Sequence, residues 1–300
     1  MKTSNHLLRR LTAALLAAVL ALSIALPVFA SDDGDTIYIN SVSDLLSLAR
    51  NCAYDQWSVG KTVILQKDLS LEGMLWEPIP SFSGQFKGSG HTISDLTITG
   101  QYSPAGLFGI VEEQGSIESL SVRGVVSVSD SADTTTGGIV GVNHGTLINC
   151  QFTGVGTGDS EVGGIVGRNE SEGTIDHSTA RAIVTGKSST GGIAGYNLGA
   201  ITGCTNVGSI NTEYPEASLD TDGFTAKMVD YINNKMAAAD DDATNSVTNV
   251  ATDTGGVAGR SSGMILTSVN TGTIGYEHVG YNVGGIVGRT DGLVSGCVNQ

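Results

Sequence analysis

Positive charge is scarce in this chain: 15 Lys and Arg stand against 30 Asp and Glu, a formal net charge of −15. That balance argues against nucleic acid and anionic membrane as partners, because both are held chiefly by clustered basic side chains. Aromatic residues make up only 5% of the chain and prolines number five. Beyond residue 26 no apolar run is long enough to span a bilayer, which takes roughly 20 residues. There is no H-E-x-x-H, no phosphate-binding glycine loop, no nucleophile elbow and no C-x-x-C. The sequence therefore nominates no catalytic residue, no cofactor-binding residue and no metal ligand, and leaves any binding residues unassigned. His91, His144, His177 and His278 recur with no carboxylate motif, so no metal trio follows from them. Glu112 with Glu113, and Asp159 with Glu161, read as exposed corner charges.

The N-terminus is the first positive signal. Lys2, Arg9 and Arg10 precede an apolar run from Leu11 to Leu26, and Ala30 closes a short segment suited to a signal peptidase. Residues 1–30 read as a cleaved signal peptide. No cysteine lies near the cut, so a lipid anchor is not expected. Removing this segment takes three of the basic residues and no acidic one, leaving 12 positive and 30 negative charges, a net of −18. Secretion, with cell-wall or cell-surface association, is the expected location.

Glycine is abundant, at 42 of 300 residues, about twice the usual share. It lacks the every-third-residue period of collagen, and regularly spaced Ile and Val separate the chain from a disordered linker. The glycines belong to repeats. Gly137–Gly141 reads GGIVG, Gly163–Gly167 repeats it, and Gly191–Gly195, Gly255–Gly259 and Gly284–Gly288 follow, with a divergent first copy at Ala105–Gly109. Measured at Gly106, Gly138, Gly164, Gly192, Gly256 and Gly285, the intervals are 32, 26, 28, 64 and 29. The long interval signals an insertion or a degenerate copy. A second column keeps step. Its third position holds Ile117, Leu147, Ile175, Ile201, Ile265 and Val294, and its sixth holds Leu120, Cys150, Ser178, Cys204, Ser268 and Cys297. His91-Thr-Ile-Ser-Asp-Leu96 fits as an earlier copy.

Units this short cannot bury their own apolar residues, whereas stacked copies form a continuous interior. The expected fold is all-β, a right-handed parallel β-helix, with Gly pairs supplying positive-φ corners and close backbone approach. Cys150 and Cys204 sit in one column with the Ser178 coil between them, too far apart for a disulfide, and read as small buried thiols. Asn206, Asn270 and Asn299 form a further column, read as a structural ladder rather than a binding site.

Residues 31–90 read as a capping region and first coils, with Ser43 as N-cap of a short helix from Asp44 to Arg50. Trp57 and Trp76 suit a solenoid cap, with an aromatic carbohydrate site as the sharper alternative. Residues 91–300 are the repeats, interrupted at about 211–253, where Phe224, Met228, Ile232 and Met236 mark an amphipathic helix over roughly 222–239. Asp240, Asp241 and Asp242 follow as a solvated acidic run without the ligand spacing of an EF-hand. Because an open solenoid end should aggregate, the chain is expected to continue beyond Gln300 or to have that end covered by a partner.

Gly106-Leu-Phe-Gly109, then GGIVG with Gly145-Thr-Leu-Ile-Asn-Cys150, resembles the GLUG motif of Gram-positive surface proteins. The stretch from Ser43-Asp-Leu-Leu through Trp76-Glu-Pro-Ile to Phe82-Ser-Gly-Gln-Phe resembles the usual lead-in to those repeats. The likeness covers about residues 36–300, and the 211–253 excursion lies outside it. It implies a noncatalytic, adhesin-like surface protein binding host protein or glycan. Such repeats also stand beside the catalytic domain of immunoglobulin-A-cleaving zinc metallopeptidases, so an accessory region of a larger extracellular enzyme, peptidase or carbohydrate-active, is the alternative. Expression in a secreting host should yield a product whose N-terminal sequence begins at Ser31; retention of residues 1–30 would refute the signal reading.

Overall fold

The computed structural model describes residues 35–54, 56–128, 134–212, 253–275 and 282–300. The signal segment, the 222–239 helix, the acidic triplet and His278 lie outside the described residues. The body from Thr36 to Gln300 is a parallel β-solenoid of about eight turns, with one short helix near its N-terminus. Each repeating coil lays down four strands in turn. The coil from Thr135 contributes Thr135–Gly137 to sheet I, Val140–Asn143 to sheet II, Thr146–Ile148 to sheet III and Gln151–Thr157 to sheet IV. All pairings are parallel between successive coils, with matched registers such as Gly137 on Gly163 and Leu147 on Ile175. Parallel strands need a crossover, and here the other three sheets of the coil provide it.

The glycine motif occupies the corner between sheets I and II. There one carbonyl accepts two amides from the preceding coil: Ile165 O takes Ile139 N at 3.0 Å and Val140 N at 3.1 Å. Ile193 O does the same for Ile165 N and Val166 N, both at 3.0 Å, and Val257 O and Ile286 O continue the series. This tight geometry explains the glycines. A Cβ on Gly163 would run into the carbonyl oxygen of Val166, and one on Gly138 into the ring of Phe152. None of the motif glycines has a positive φ, so their role is close approach and not the left-handed corners expected from sequence. The left-handed corner lies elsewhere, between sheets III and IV, at Ser119, Asn149, His177, Gly203, Thr267 and Gly296. Four of those six carry side chains, tolerated because the next residue is anchored in the core.

The interior is a set of stacked columns. Sheet III contributes Phe86, Ile117, Leu147, Ile175, Ile201 and Ile265, all fully buried, followed by Val294. The member before Ile117 is Phe86, itself preceded by Val63 and Ile37, and not Ile93. Ile93 instead lies in sheet IV between Leu69 and Val122, so the His91 segment is a sheet IV strand and not an earlier copy of the column. Asn206 donates to Asn270 Oδ1 and Asn270 to Asn299 Oδ1, each at 2.7 Å, which is the expected ladder. A second ladder runs through sheet II: Asn143 donates to Asn169 and Asn169 to Asn197, both at 2.8 Å, and Asn197 to the Ser261 hydroxyl at 3.0 Å. These side chains are buried, and each asparagine also donates to a backbone carbonyl of its own turn. They thereby satisfy the polar groups of the corner that leads to sheet III.

All four cysteines are free. Cys150 N donates to the Ser178 hydroxyl at 3.1 Å, Ser178 N to Cys204 Sγ at 3.4 Å, and Cys204 N to the Ser268 hydroxyl at 3.2 Å. The Cys/Ser alternation thus supplies one acceptor per turn to the amide of the turn before. The interval of 64 resolves as one coil with an insertion, because Thr190 stacks on Thr254 and Gly191 on Gly255 without a missing layer.

At the N-terminal end, helix α1 (Val42–Asn51) buries Leu45 and Leu48. Its N-cap is Ser41, whose hydroxyl accepts from Asp44 N at 3.2 Å, while the Asp44 carboxylate accepts from Asn40 N at 2.9 Å. Ser43 is already inside the first turn, because the capping oxygen must reach an amide two or three residues on. Phe82, Phe86 and Phe108 pack edge-on or tilted, with centroids 5.3 to 6.3 Å apart, filling the first coils beneath the cap.

Replacing Asn169 with alanine removes an acceptor from Asn143 and a donor from Asn197 inside a closed core, so guanidinium denaturation should show a loss of about 2–3 kcal/mol; a loss below about 0.5 kcal/mol would mean that the ladder is not structural. The thiols give a second expectation. Burial pushes Cys150 and Cys204 up to about 12 and Cys52 to about 11, from an ordinary 9.0. A raised folded pKa stabilises the fold fully below the unfolded value, and that contribution is lost as pH climbs from about 9 toward about 12. These three thiols should resist a thiol reagent at neutral pH in the native protein and all four should react in guanidinium; prompt native reaction of Cys150 or Cys204 would contradict the packing.

Candidate binding face

Strands that alternate inward and outward place one chemically variable column on the outside of sheet II. Two residues before each ladder asparagine stands the last glycine of the motif, Gly141, Gly167 or Gly195; the residue between them and its neighbours across the strands form the outer column. It runs Ser81, Ile110, Val142, Arg168, Tyr196, Arg260 and Arg289 in direct register. Basic residues are scarce in the chain, yet three of them fall in this column, two of them against a tyrosine.

The column is ordered by contacts on both sides. The Arg168 and Arg260 guanidinium carbons each lie 5.1 Å from the Tyr196 ring centroid. This is cation–π range, worth roughly 0.5–1 kcal/mol at exposed sites. The Tyr196 hydroxyl lies 3.2 Å from Ser262 Oγ, which fixes the ring. Arg168 is neutralised by Glu161 Oε1 at 2.7 Å and Glu170 Oε1 at 2.6 Å. Partial burial disfavours its charge, but the two carboxylates outweigh that and raise its pKa further. Glu161 is therefore a half-sheltered partner of Arg168 and not the exposed corner charge its sequence position implied, because sheet I brings it beside sheet II. Asp159 is likewise engaged, by Lys187. The Asp291 carboxyl is held below its ordinary range, first by a hydrogen bond from Ser262, with Arg260 and Arg289 adding to it.

The histidines weighed from sequence do not converge. His91 lies 3.2 Å from Asp68, and His177 2.8 Å from Asp176 at a corner of sheet III. His144 precedes the strand Thr146–Ile148, at the opposite edge of sheet III. Among the described residues no three His, Cys, Asp or Glu side chains gather into a group that could hold a metal. Glu112 is bonded by the Ser81 hydroxyl at 2.7 Å. Trp76 is buried and donates its ring N–H to Leu107 O at 3.1 Å, and Trp57 takes the Lys61 ammonium 5.3 Å from its centroid. Trp76 is thus a cap residue. The arginine column is not legible in the sequence, because its members belong together only once the register of sheet II is known. The fixed offset between Arg168 and Asn169, Tyr196 and Asn197, and Arg260 and Ser261 was the available signal.

Fold and face together define a parallel β-solenoid repeat protein with a polar outer column. Residues 158–185, which make one turn of it, match the family model described as the GLUG motif. The chain is 30% identical to halomucin of Haloquadratum walsbyi over 155 residues, covering 47% of this chain and 2% of halomucin. It therefore spans a very small part of that relative's length. It also superposes on the crystal structure of a Bacteroides ovatus protein provisionally named an immunoglobulin A1 protease. That match has a TM-score of 0.60 and 18% identity, and covers 89% of this chain and 75% of the other. At that identity the likeness establishes the fold alone.

Proposed function

We propose that this chain is a noncatalytic extracellular repeat protein, displayed at the cell surface in an adhesin-like role, whose solenoid presents outer sheet faces to host protein or glycan. One observation carries the reading. Inside, successive turns repeat the same columns of Ile, Asn and Cys or Ser, whereas on the outer face of sheet II the residue changes from Val142 to Arg168 to Tyr196. A scaffold held constant within and varied without is suited to recognition. The signal-like N-terminus, the acidic surface, the GLUG match and the partial likeness to halomucin support the same reading.

The competing reading is an accessory region of a larger extracellular enzyme, a zinc metallopeptidase or a carbohydrate-active enzyme. It draws on the provisional name of the Bacteroides ovatus neighbour, and it predicts bond cleavage only when further domains are present. The folded chain should show saturable binding to a subset of immobilised glycans or host matrix proteins without altering them. Uniform failure to bind across both arrays would sink the adhesin-like role, and hydrolysis of any arrayed ligand would remove the word noncatalytic.

A further inference from the structure

We propose that Arg260 and Arg289, side by side on the outer face of sheet II, form a site for a single oxyanion, a carboxylate or sulfate ester carried on an otherwise uncharged glycan. The proposal rests on the scaffold reading above and deepens it.

Arg260 pairs directly with Arg289 on the next strand, and successive strands lie about 4.8 Å apart. Like charges set directly opposite each other destabilise a sheet, so fold stability gives no reason for this pair. Arg168, two strands away from Arg260, is by contrast closed off by two carboxylates at 2.7 and 2.6 Å. Among the described residues neither Arg260 nor Arg289 has a carboxylate within the 4.0 Å of an ion pair. Asp291 stands near both, but it is hydrogen-bonded to Ser262. Asp253, at the edge of sheet I, is buried and accepts from Asn282 Nδ2 at 2.6 Å.

The Tyr196 ring holds the Arg260 guanidinium against one face and is itself fixed through Ser262. Both ring faces are covered by arginines, so Tyr196 does not stack on a sugar, and recognition falls to the guanidinium N–H groups. A guanidinium is a planar fork whose paired donors match the paired oxygens of a carboxylate or sulfate, and the register sets two such side chains on adjacent strands. The chain's net charge of −15 repels polyanions at long range. A ligand with one oxyanion escapes most of that repulsion while keeping the short-range contacts.

The test uses lactose, 3′-sialyllactose and 3′-sulfolactose as probes, titrated by calorimetry into the whole secreted chain. One or both charged sugars should bind at least about tenfold more tightly than lactose, and which one does so separates carboxylate from sulfate. Arg260→Gln with Arg289→Gln should abolish the preference. Arg260→Lys with Arg289→Lys, which keeps the charge and loses the forks, should keep part of it, and Arg168→Gln should change it less than twofold. Far-UV circular dichroism and thermal melting check that each variant keeps the fold; these side chains face outward, so it should. If lactose binds as tightly as the charged sugars, or the double Gln variant keeps the preference, the oxyanion site is wrong and the scaffold reading stands. If wild type ignores all three sugars while the wider arrays capture other ligands, the same conclusion follows. Silence across the probes and the arrays overturns both.

Discussion

At four successive corners between sheets I and II, one carbonyl oxygen accepts two amides from the coil before it. Ile165, Ile193, Val257 and Ile286 each fill this role, at 2.8 to 3.1 Å. A carbonyl has two lone pairs, and using both ties the end of one strand and the start of the next to the same atom of the neighbouring coil. The chain must then turn within two residues. The strands of sheets I and II are drawn so close that a Cβ on Gly163 or Gly191 would meet the carbonyl of Val166 or Ala194. The GG-x-x-G spelling follows from this corner. Any side chain at the first glycine would break the shared bond, and losing it would leave buried amides without partners, at about 1–3 kcal/mol each.

The corner also couples the two repeat columns. The second glycine of each motif faces the inward column of sheet IV: Gly138 lies under Phe152, Gly192 under Asn206, Gly256 under Asn270 and Gly285 under Asn299. Room made by the glycine is filled by an apolar ring in an early coil and by hydrogen-bonded amides in later ones. A stack of identical amides satisfies itself, each donating to the next, so a polar column can occupy a dry interior at no desolvation deficit. The Cys/Ser column obeys a related rule. Its Oγ or Sγ accepts the amide of the preceding turn, so Ser and Cys interchange there, and a disulfide would destroy the acceptors on which the stack relies.

Which parts of this were readable follows from where the information resides. Parallel stacking and the free thiols were legible because both depend on period, and period is written in the spacing of Gly, Ile and Cys. The glycines' purpose was only half legible: spacing shows that they recur, but whether the cause is positive φ or close approach depends on what lies across the coil. The position of Ile93 was misread because His91-Thr-Ile imitates the column motif while the extra residues Ser89 and Gly90 shift it onto sheet IV. The asparagines at 143, 169 and 197 recur as regularly as those at 206, 270 and 299, yet Gly-Val, Gly-Arg and Gly-Tyr precede them, which hides an inward position beside an outward one.

The same register divides the molecule into a constrained inside and an unconstrained outside. Inward positions answer to the coil above and below, so a change there is matched by its neighbours: Ile replaces Leu, Ser replaces Cys, amides succeed apolar side chains only as a hydrogen-bonded run, and Ser261 ends one such run where a fourth asparagine would stand. Outward positions answer to neighbours on the surface, as Arg168 does to Glu161 and Glu170, and not to the interior, which is why Val142, Arg168 and Tyr196 can succeed one another without disturbing the ladder beneath them. The connection from sheet IV to sheet I has the same freedom. It runs over 158–160 in one coil and 211–253 in another, and Gly191 still meets Gly255. An unfavourable feature on such a surface is informative for that reason. Nothing in the interior forces Arg260 onto Arg289, and that adjacency is the observation on which the proposed oxyanion site rests.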